Sequence, residues 1–363
     1  MRGTLNLQTT MLSSFSTEDL IPPDHPIRRI RAVVDVVLAD LDTEFTAMYS
    51  EVGRPSIPPE QLLKATILQA MFSVRSVRAF CERLRYDMLF KWFLDLNVDD
   101  PAMDASTFSK NQERLLASEI ADRFFAAVVK QARLRKYVSS EHFSADGTLL
   151  EAWASHKSFR PKKDGDSGPP SSGGRNAEAN FRGEKRTNET HESKTDPEAK
   201  MAKKGHGTGA RLSYMGHTLM ENRNALIVDA ELTEANGFAE RDTAVMMLKR
   251  LPRTKKRRTA GFDKGYDAKN FVKECREIGV TPHVAQNTNA RRSAVDSRTT
   301  RHAGYEVSMR IRKRIEEPFG WLKTVAGGRK LRYIGKKRNR AWFLMSTATY
   351  NLLRITVMDA QAA

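Results

Sequence analysis

Three carboxylates in this chain have the residue types and the settings to do phosphate chemistry. Asp146 stands in Ser144-Ala-Asp-Gly147, Asp263 in Gly261-Phe-Asp-Lys-Gly-Tyr-Asp267, and Glu316 in Arg312-Lys-Arg-Ile-Glu-Glu-Pro-Phe-Gly-Trp-Leu-Lys323. Each aspartate ends a short strand-like run and is closely followed by glycine. That pattern predicts a strand end where the chain turns and leaves the carboxylate on the rim of a sheet. Singly, such a site is ordinary turn chemistry. As a pair, the aspartates offer hard oxygen donors of the kind Mg²⁺ takes alongside water and substrate phosphate. Two such ions about 4 Å apart can activate a water and stabilise a departing 3′-oxygen.

The third carboxylate sits on a basic segment that reads as one long helix over residues 308–325. At about 100° per residue, Glu316 and Lys323 fall within about 40° of Arg312, so one face carries a carboxylate flanked by two cations. Ile311, Ile315, Phe319, Leu322 and Ala326 make an adjoining apolar stripe that would pack this helix on a sheet. Glu317 lies about 100° further round, so Glu316 is the expected catalytic glutamate. Pro318 can kink the helix by removing the bond to the carbonyl of Arg314, a break that Arg312 and Glu316 are expected to precede. A plain surface helix explains an Arg312–Glu316 pair at i,i+4, but not Lys323 or the positive field around it.

Other polar residues read more plainly. Asp242 opens a helix and Asp267 caps one, while His206 and His217 lack the spacing of paired metal ligands. Cys81 and Cys275 fall on apolar helical faces as core thiols. With two cysteines and no CxxC, a disulfide framework and a cysteine zinc site are excluded.

Positioning these groups takes a sheet, and the chain changes texture to supply one. Residues 1–140 read as an all-α bundle, with helices expected from Pro59, over 77–94, from Ser106 and from Ser118. Gly53 is the one glycine between Gly3 and Gly147. Beyond residue 140, strands are expected at 142–149, 211–219, 225–232, 259–263 and 281–285. Helices are expected at 240–251, 268–278, 308–325 and 341–358, which makes a mixed α/β layer structure. Between Glu151 and Arg211 there is no Leu, Ile or Val. Such a stretch buries too little to offset its ordering entropy, so 157–208 is expected to be a disordered loop.

Lys and Arg total 61 against 44 Asp and Glu, a net charge of +17. Residues 1–140 are neutral, so the whole excess lies in 141–363, in patches at 253–258, 310–314 and 329–340. A one-sided basic surface points to a polyanion, and three patches in one half favour nucleic acid. Within the neutral part, Ser109, Lys110, Asn111 and Gln112 carry side chains that read base edges in the major groove. They are the candidates for recognising DNA ends, and would serve nearly as well as the polar outer face of a bundle helix. No apolar run reaches the ~20 residues of a membrane span, and MRGTLNLQTT lacks the apolar core of a signal peptide. The chain is therefore expected in the cytoplasm, with no membrane partner.

Asp146, Asp263 and Glu316, with the spacing Arg312-x3-Glu316-x6-Lys323, resemble the DDE triad and signature helix of bacterial insertion-sequence transposases. Asp263-Lys-Gly-Tyr-Asp267 and Ile315-Glu-Glu-Pro-Phe-Gly-Trp-Leu-Lys323 are similar to the insertion sequence "five" family, and Ile57-Pro-Pro-Glu-Gln-Leu-Leu63 resembles its helical N-terminal domain. The resemblance implies an all-α domain over 1–140 and an RNase H-like mixed-sheet catalytic domain over 141–363. It also implies two Mg²⁺ ions on the three carboxylates, replaceable by Mn²⁺, with Arg312 and Lys323 gripping phosphates. The implied reaction cuts double-stranded DNA at terminal inverted repeats and joins the 3′ ends to target DNA. The implied assembly is a dimer in a synaptic complex, nucleoid-associated in the bacterial cell. One departure is Met309, where the family has a tyrosine, so no tyrosine role carries over. Two other readings stay open: an RNase H-like nuclease without strand transfer, and a DNA-binding protein descended from a transposase that no longer catalyses.

Overall fold

The computed structural model describes residues 16–50, 52–53, 55–162, 187–203, 209–237, 239–289 and 292–362. His206 lies outside them. Among the described residues, seven helices precede the first strand: α1 Pro26–Ala39, α2 Asp42–Met48, α3 Pro59–Met71, α4 Val77–Leu84, α5 Met88–Phe93, α6 Ala105–Ala117 and α7 Ile120–Leu134. Local chemistry sets several ends. Pro59 opens α3, where its missing N–H costs nothing. The Asp87 carboxylate accepts the Phe90 N–H at 3.1 Å, so the stretch 77–94, expected as one helix, is two. Asp104 caps α6 through the N–H groups of Ser106 and Thr107, at 3.0 and 2.9 Å.

The second part carries β1 His142–Glu151, β2 Phe159–Pro161, β3 His191–Ser193, β4 Lys200–Ala202, β5 Arg211–Glu221, β6 Ile227–Glu234, α8 Ala239–Arg250, β7 Arg258–Phe262, α9 Lys269–Glu277 and β8 Val280–Val284. It ends with α10 Ser297–Thr300, α11 Ala303–Ile311, α12 Glu316–Thr324 and α13 Lys336–Ala362. The main sheet runs β6-β5-β1-β7-β8. β6, β5 and β1 are antiparallel, while β7 and β8 continue parallel to β1. Three antiparallel strands in chain order followed by two parallel ones on the far side of the first is the RNase H-like arrangement.

Two cores flank this sheet. Phe143 and Ala145 of β1 join Leu219, Phe262, Val272 and residues of α8 in one. Leu150 of β1 and Tyr214 of β5 belong to the other, which runs through Phe343, Ala348 and Leu352 of α13 into Val34, Leu63 and Phe124 of the N-terminal helices. Helix α13 is thus the shared wall between bundle and sheet. Asn351 clamps it to β6, accepting the Ile227 N–H at 2.9 Å and donating to the Ile227 carbonyl at 2.7 Å.

The 157–208 stretch corrects an expectation. Its described parts, 157–162 and 187–203, hold the β2–β3 ladder and β4, which extends the sheet along β5. Polar and aromatic contacts replace the missing aliphatics: the Tyr214 hydroxyl donates to Asp196 at 2.7 Å, and Phe159 stacks on His191 with centroids 5.4 Å apart. Residues 163–186 and 204–208 lie outside the described set. Among the described residues, no helix is long and apolar enough to cross a membrane.

Candidate active site

Strand register brings the two aspartates together. The parallel ladder between β1 and β7 ends at the pair Ser144↔Gly261. Asp146 and Asp263 each lie two residues beyond that pair, so alternation along the strands puts them side by side on one face of the sheet. Asp146 is inside β1 rather than at its end, because β1 continues antiparallel to β5 as far as Glu151. It is nevertheless at the rim of the parallel part. Asp263 follows β7 directly, and its carboxylate accepts the Gly265 N–H at 2.8 Å. Asp146 accepts the N–H of Gly147 at the same distance.

The basic segment is not the single helix expected. Helix α11 ends at Ile311, residues Arg312–Ile315 form a 3-10 turn, and α12 starts at Glu316. The break therefore begins at Arg312, six residues ahead of Pro318, and the tighter winding separates the directions of Arg312 and Glu316. Arg312 packs against the bare backbone of Gly261: a Cβ there would sit 3.2 Å from the Arg312 Cβ and 3.3 Å from the Ser144 hydroxyl. Its Nε is buried with no hydrogen-bond partner among the described residues. Arg312 is half-buried on the same sheet face as the aspartates, where its charge favours ionised Asp146, and it is not among the residues that line the cleft. Glu316 is exposed and faces the cleft, as does Lys323, whose ammonium donates to the Thr148 hydroxyl at 2.6 Å.

Asp146, Gly147, Thr148, Asp263, Glu316, Phe319 and Lys323 line one cleft of about 820 Å³. Asn188, Met201 and Lys203, from the stretch expected to be disordered, line it too. Glu317 is not in its lining. Glu240 is, from the first turn of α8, and sequence reasoning missed it. An acid in a first helical turn is unremarkable, and only its meeting with Gly147 reveals its place.

Acid crowds against acid here. Burial, with the nearby charges of Asp263 and Glu240, pushes the Asp146 carboxyl up to about 7, against the Gly147 N–H and Arg312. Burial and then Asp263 likewise raise Glu240. Tyr266, fully buried beneath, is raised well above the usual phenol range by burial and then by these carboxylates. Such a set of oxygen donors suits a hard divalent cation. Among the described residues, no three His, Cys, Asp or Glu side chains converge on one ion. The fit is to Mg²⁺-type binding, with one or two carboxylates per ion and the remaining ligands from water and phosphate.

The proposed end-reading residues divide. Gln112 is only 2% exposed and donates to Gln69 Oε1 at 3.0 Å and to Thr66 Oγ1 at 3.3 Å, so it is core and cannot read bases. Lys110 is exposed, while Ser109 and Asn111 are half-buried, with Asn111 bonded back to the Thr107 carbonyl at 2.8 Å. The basic patches are also partly spent inside the fold. Arg340 pairs with Asp122 and Glu231, and Lys256 pairs with Glu141. Other residues behave as read: Cys81 and Cys275 are buried thiols, pushed by burial up to about 11 and about 12. Asp267 is instead a loop staple, accepting the N–H groups of Asn287 and Ala294 at 2.7 and 2.8 Å.

Residues 15–114 match a family described as "Transposase domain (DUF772)", and residues 182–352 match the family "Transposase DDE domain". The second match contains Asp263, Glu240, Glu316 and Lys323. Asp146 lies between the two matches, and its place in the site rests on the strand register. None of the curated proteins matches the chain. A solved structure described as a piggyBac transposase synaptic complex with hairpin DNA is similar over 95% of this chain and 78% of its own, at 9% identity and a TM-score of 0.42. At that level the likeness carries no argument about the site.

Proposed function

This chain is a DDE transposase, and we propose that it cuts double-stranded DNA at terminal inverted repeats and joins the freed 3′ ends to target DNA in the cleft lined by Asp146, Asp263 and Glu316. The observation that carries this reading is the register that puts Asp146 and Asp263 side by side, facing Glu316 and Lys323 across one cleft. The transposases of this class use divalent metal ions, and here we assign Mg²⁺, with Mn²⁺ able to replace it. When bound, such ions polarise the scissile phosphodiester and favour ionisation of the attacking oxygen. Asp146 and Asp263 would hold ions from the sheet and Glu316 from α12. Lys323, fixed by Thr148, offers a point charge to a phosphate beside the scissile bond. Half-buried Arg312 keeps Asp146 toward its ionised form. Lys110 is left as the exposed member of the end-reading set, and two chains would bring two DNA ends together.

The test is to incubate the purified chain with its flanking DNA in Mg²⁺ or Mn²⁺ and map the 3′ ends. Wild type should give nicked ends and joined products, and Asp146→Asn and Asp263→Asn should give neither while binding the same DNA. Nicked ends without joining would make it a nuclease. Wild-type cutting by either variant would remove the aspartates from the site.

A further inference from the structure

Glycine at position 147 is required by more than a turn. Gly147 alternates with Phe143 and Ala145, on the sheet face that packs against α8, opposite the face of Asp146. A Cβ on Gly147 would lie 3.0 Å from Oε1 and 3.1 Å from Cγ of Glu240. The Glu240 side chain therefore lies directly on the strand backbone next to Asp146, where any larger residue would push it away. A second group points at the same spot. His217 is the cross-strand partner of Gly147 in β5, and its Nδ1 would be 3.3 Å from that same Cβ position. His217 is 1% exposed, its Nε2 is 2.8 Å from the Thr233 hydroxyl, and Nδ1 is buried with no hydrogen-bond partner. Leaving a ring nitrogen bare in the middle of a sheet is costly, and two acids stand near this imidazole: Glu231, its cross-strand partner in β6, whose charge acts on it, and Glu240, which shares with Nδ1 the space over Gly147.

We propose that Glu240 is a fourth carboxylate of the cleft, held toward the divalent ions over the bare backbone of Gly147, beside the unpartnered Nδ1 of His217. The ions would then meet carboxylates from both sides of the sheet: Asp146, Asp263 and Glu316 from one side and Glu240 from the other. Helix α8 becomes part of the catalytic frame, and Gly147 becomes the opening through which its acid reaches in. The inference rests on the cleft being the metal site.

Three variants test it: Glu240→Gln, Gly147→Ala, which displaces the carboxylate without changing charge, and Asp146→Asn as reference. Each is titrated with Mn²⁺ by electron paramagnetic resonance and calorimetry, bound to end DNA, and assayed for nicking. Glu240→Gln and Gly147→Ala should lose about tenfold or more in Mn²⁺ affinity and about a hundredfold in nicking, with DNA binding unchanged. A merely structural Glu240 would lower thermal stability and leave Mn²⁺ affinity alone. Wild-type Mn²⁺ affinity and nicking in Glu240→Gln, with both lost in Asp146→Asn, overturns the role of Glu240 while leaving the site intact. Retention of both by Asp146→Asn overturns the site and the inference together. Should Glu240→Gln not fold, Glu240→Asp, with its carboxylate withdrawn by one methylene, is read against the same outcomes.

Discussion

Lys323 and Thr148 are joined by a hydrogen bond of 2.6 Å from α12 to the strand that carries Asp146. Thr148 is two residues beyond Asp146 and on the same face of β1, so the bond sets the distance between a cation and the carboxylates. In the proposed reaction that ammonium offers its charge to a phosphate of the substrate.

Lys323→Ala should lower strand cleavage by about a hundredfold, the usual cost of removing one well-placed electrostatic donor. Thr148→Val, which keeps the shape but loses the hydroxyl, should cost only a few-fold and should appear as weaker DNA binding. Nicking rates across a DNA titration separate the two, and equal losses in both variants would mean that the tether matters more than the charge.

Between the adjacent glutamates, Glu316→Gln should abolish nicking in Mn²⁺ by several orders of magnitude and Glu317→Gln should change it little. The cleft lining includes the first and not the second, while the charge of Glu317 is felt by Tyr350 of α13. The reverse ranking would show that α12 presents its other side to the DNA.

Asp146 gives a pH signature to the metal-free protein. Folded, it holds its proton up to about 7; unfolded, it would ionise near about 3.9. Between those values the unfolded chain binds fewer protons than the folded one, so this group's stabilisation is lost as pH rises through that window and is constant above it. Added Mn²⁺ should restore stability at the high end. Thermal melts from pH 4 to 8 should slope downward in wild type and less so in Asp146→Asn. Parallel slopes would contradict the assignment.

Gly216 is a second place where backbone must stay bare. A Cβ there would meet the Phe343 ring at 2.8 and 2.9 Å, in a part of α13 with no room to retreat. Gly216→Ala should cost about 1–3 kcal/mol by overpacking, measured by denaturant unfolding.

Much of this was legible in the sequence, for physical reasons that can be named. Strand-helix alternation beyond residue 140 exposed the mixed sheet, and Asp146, Asp263 and Glu316 stood out by their settings. What failed was what depends on partners far along the chain. Gln112 reads as a polar surface residue until Gln69 and Thr66 close over it. The order of 187–203 depends on Asp196 meeting Tyr214, which no composition count reveals. The 3-10 turn at Arg312–Ile315 tightens earlier than the proline suggests, so ideal helix angles carried across it misplace Arg312. Helices α1 and α2 fall within the stretch that reads as an all-α bundle but have no bounds of their own in that reading, and Glu240 announces itself only through the strand it lies on.

Because α13 lies between the bundle and the sheet in the core they share, the order of synthesis becomes a constraint on folding. Helices α1–α7 leave the ribosome long before Phe343 and Leu352 exist to cover Val34, Leu63 and Phe124. Until then the bundle has an apolar side open to water, a client for chaperones rather than a finished module. A frameshift or stop ahead of Lys336 would therefore yield an insoluble or degraded chain, not a stable DNA-binding fragment competing with the whole protein at its DNA ends. Expression of residues 1–335 and recovery from the soluble fraction would show which occurs.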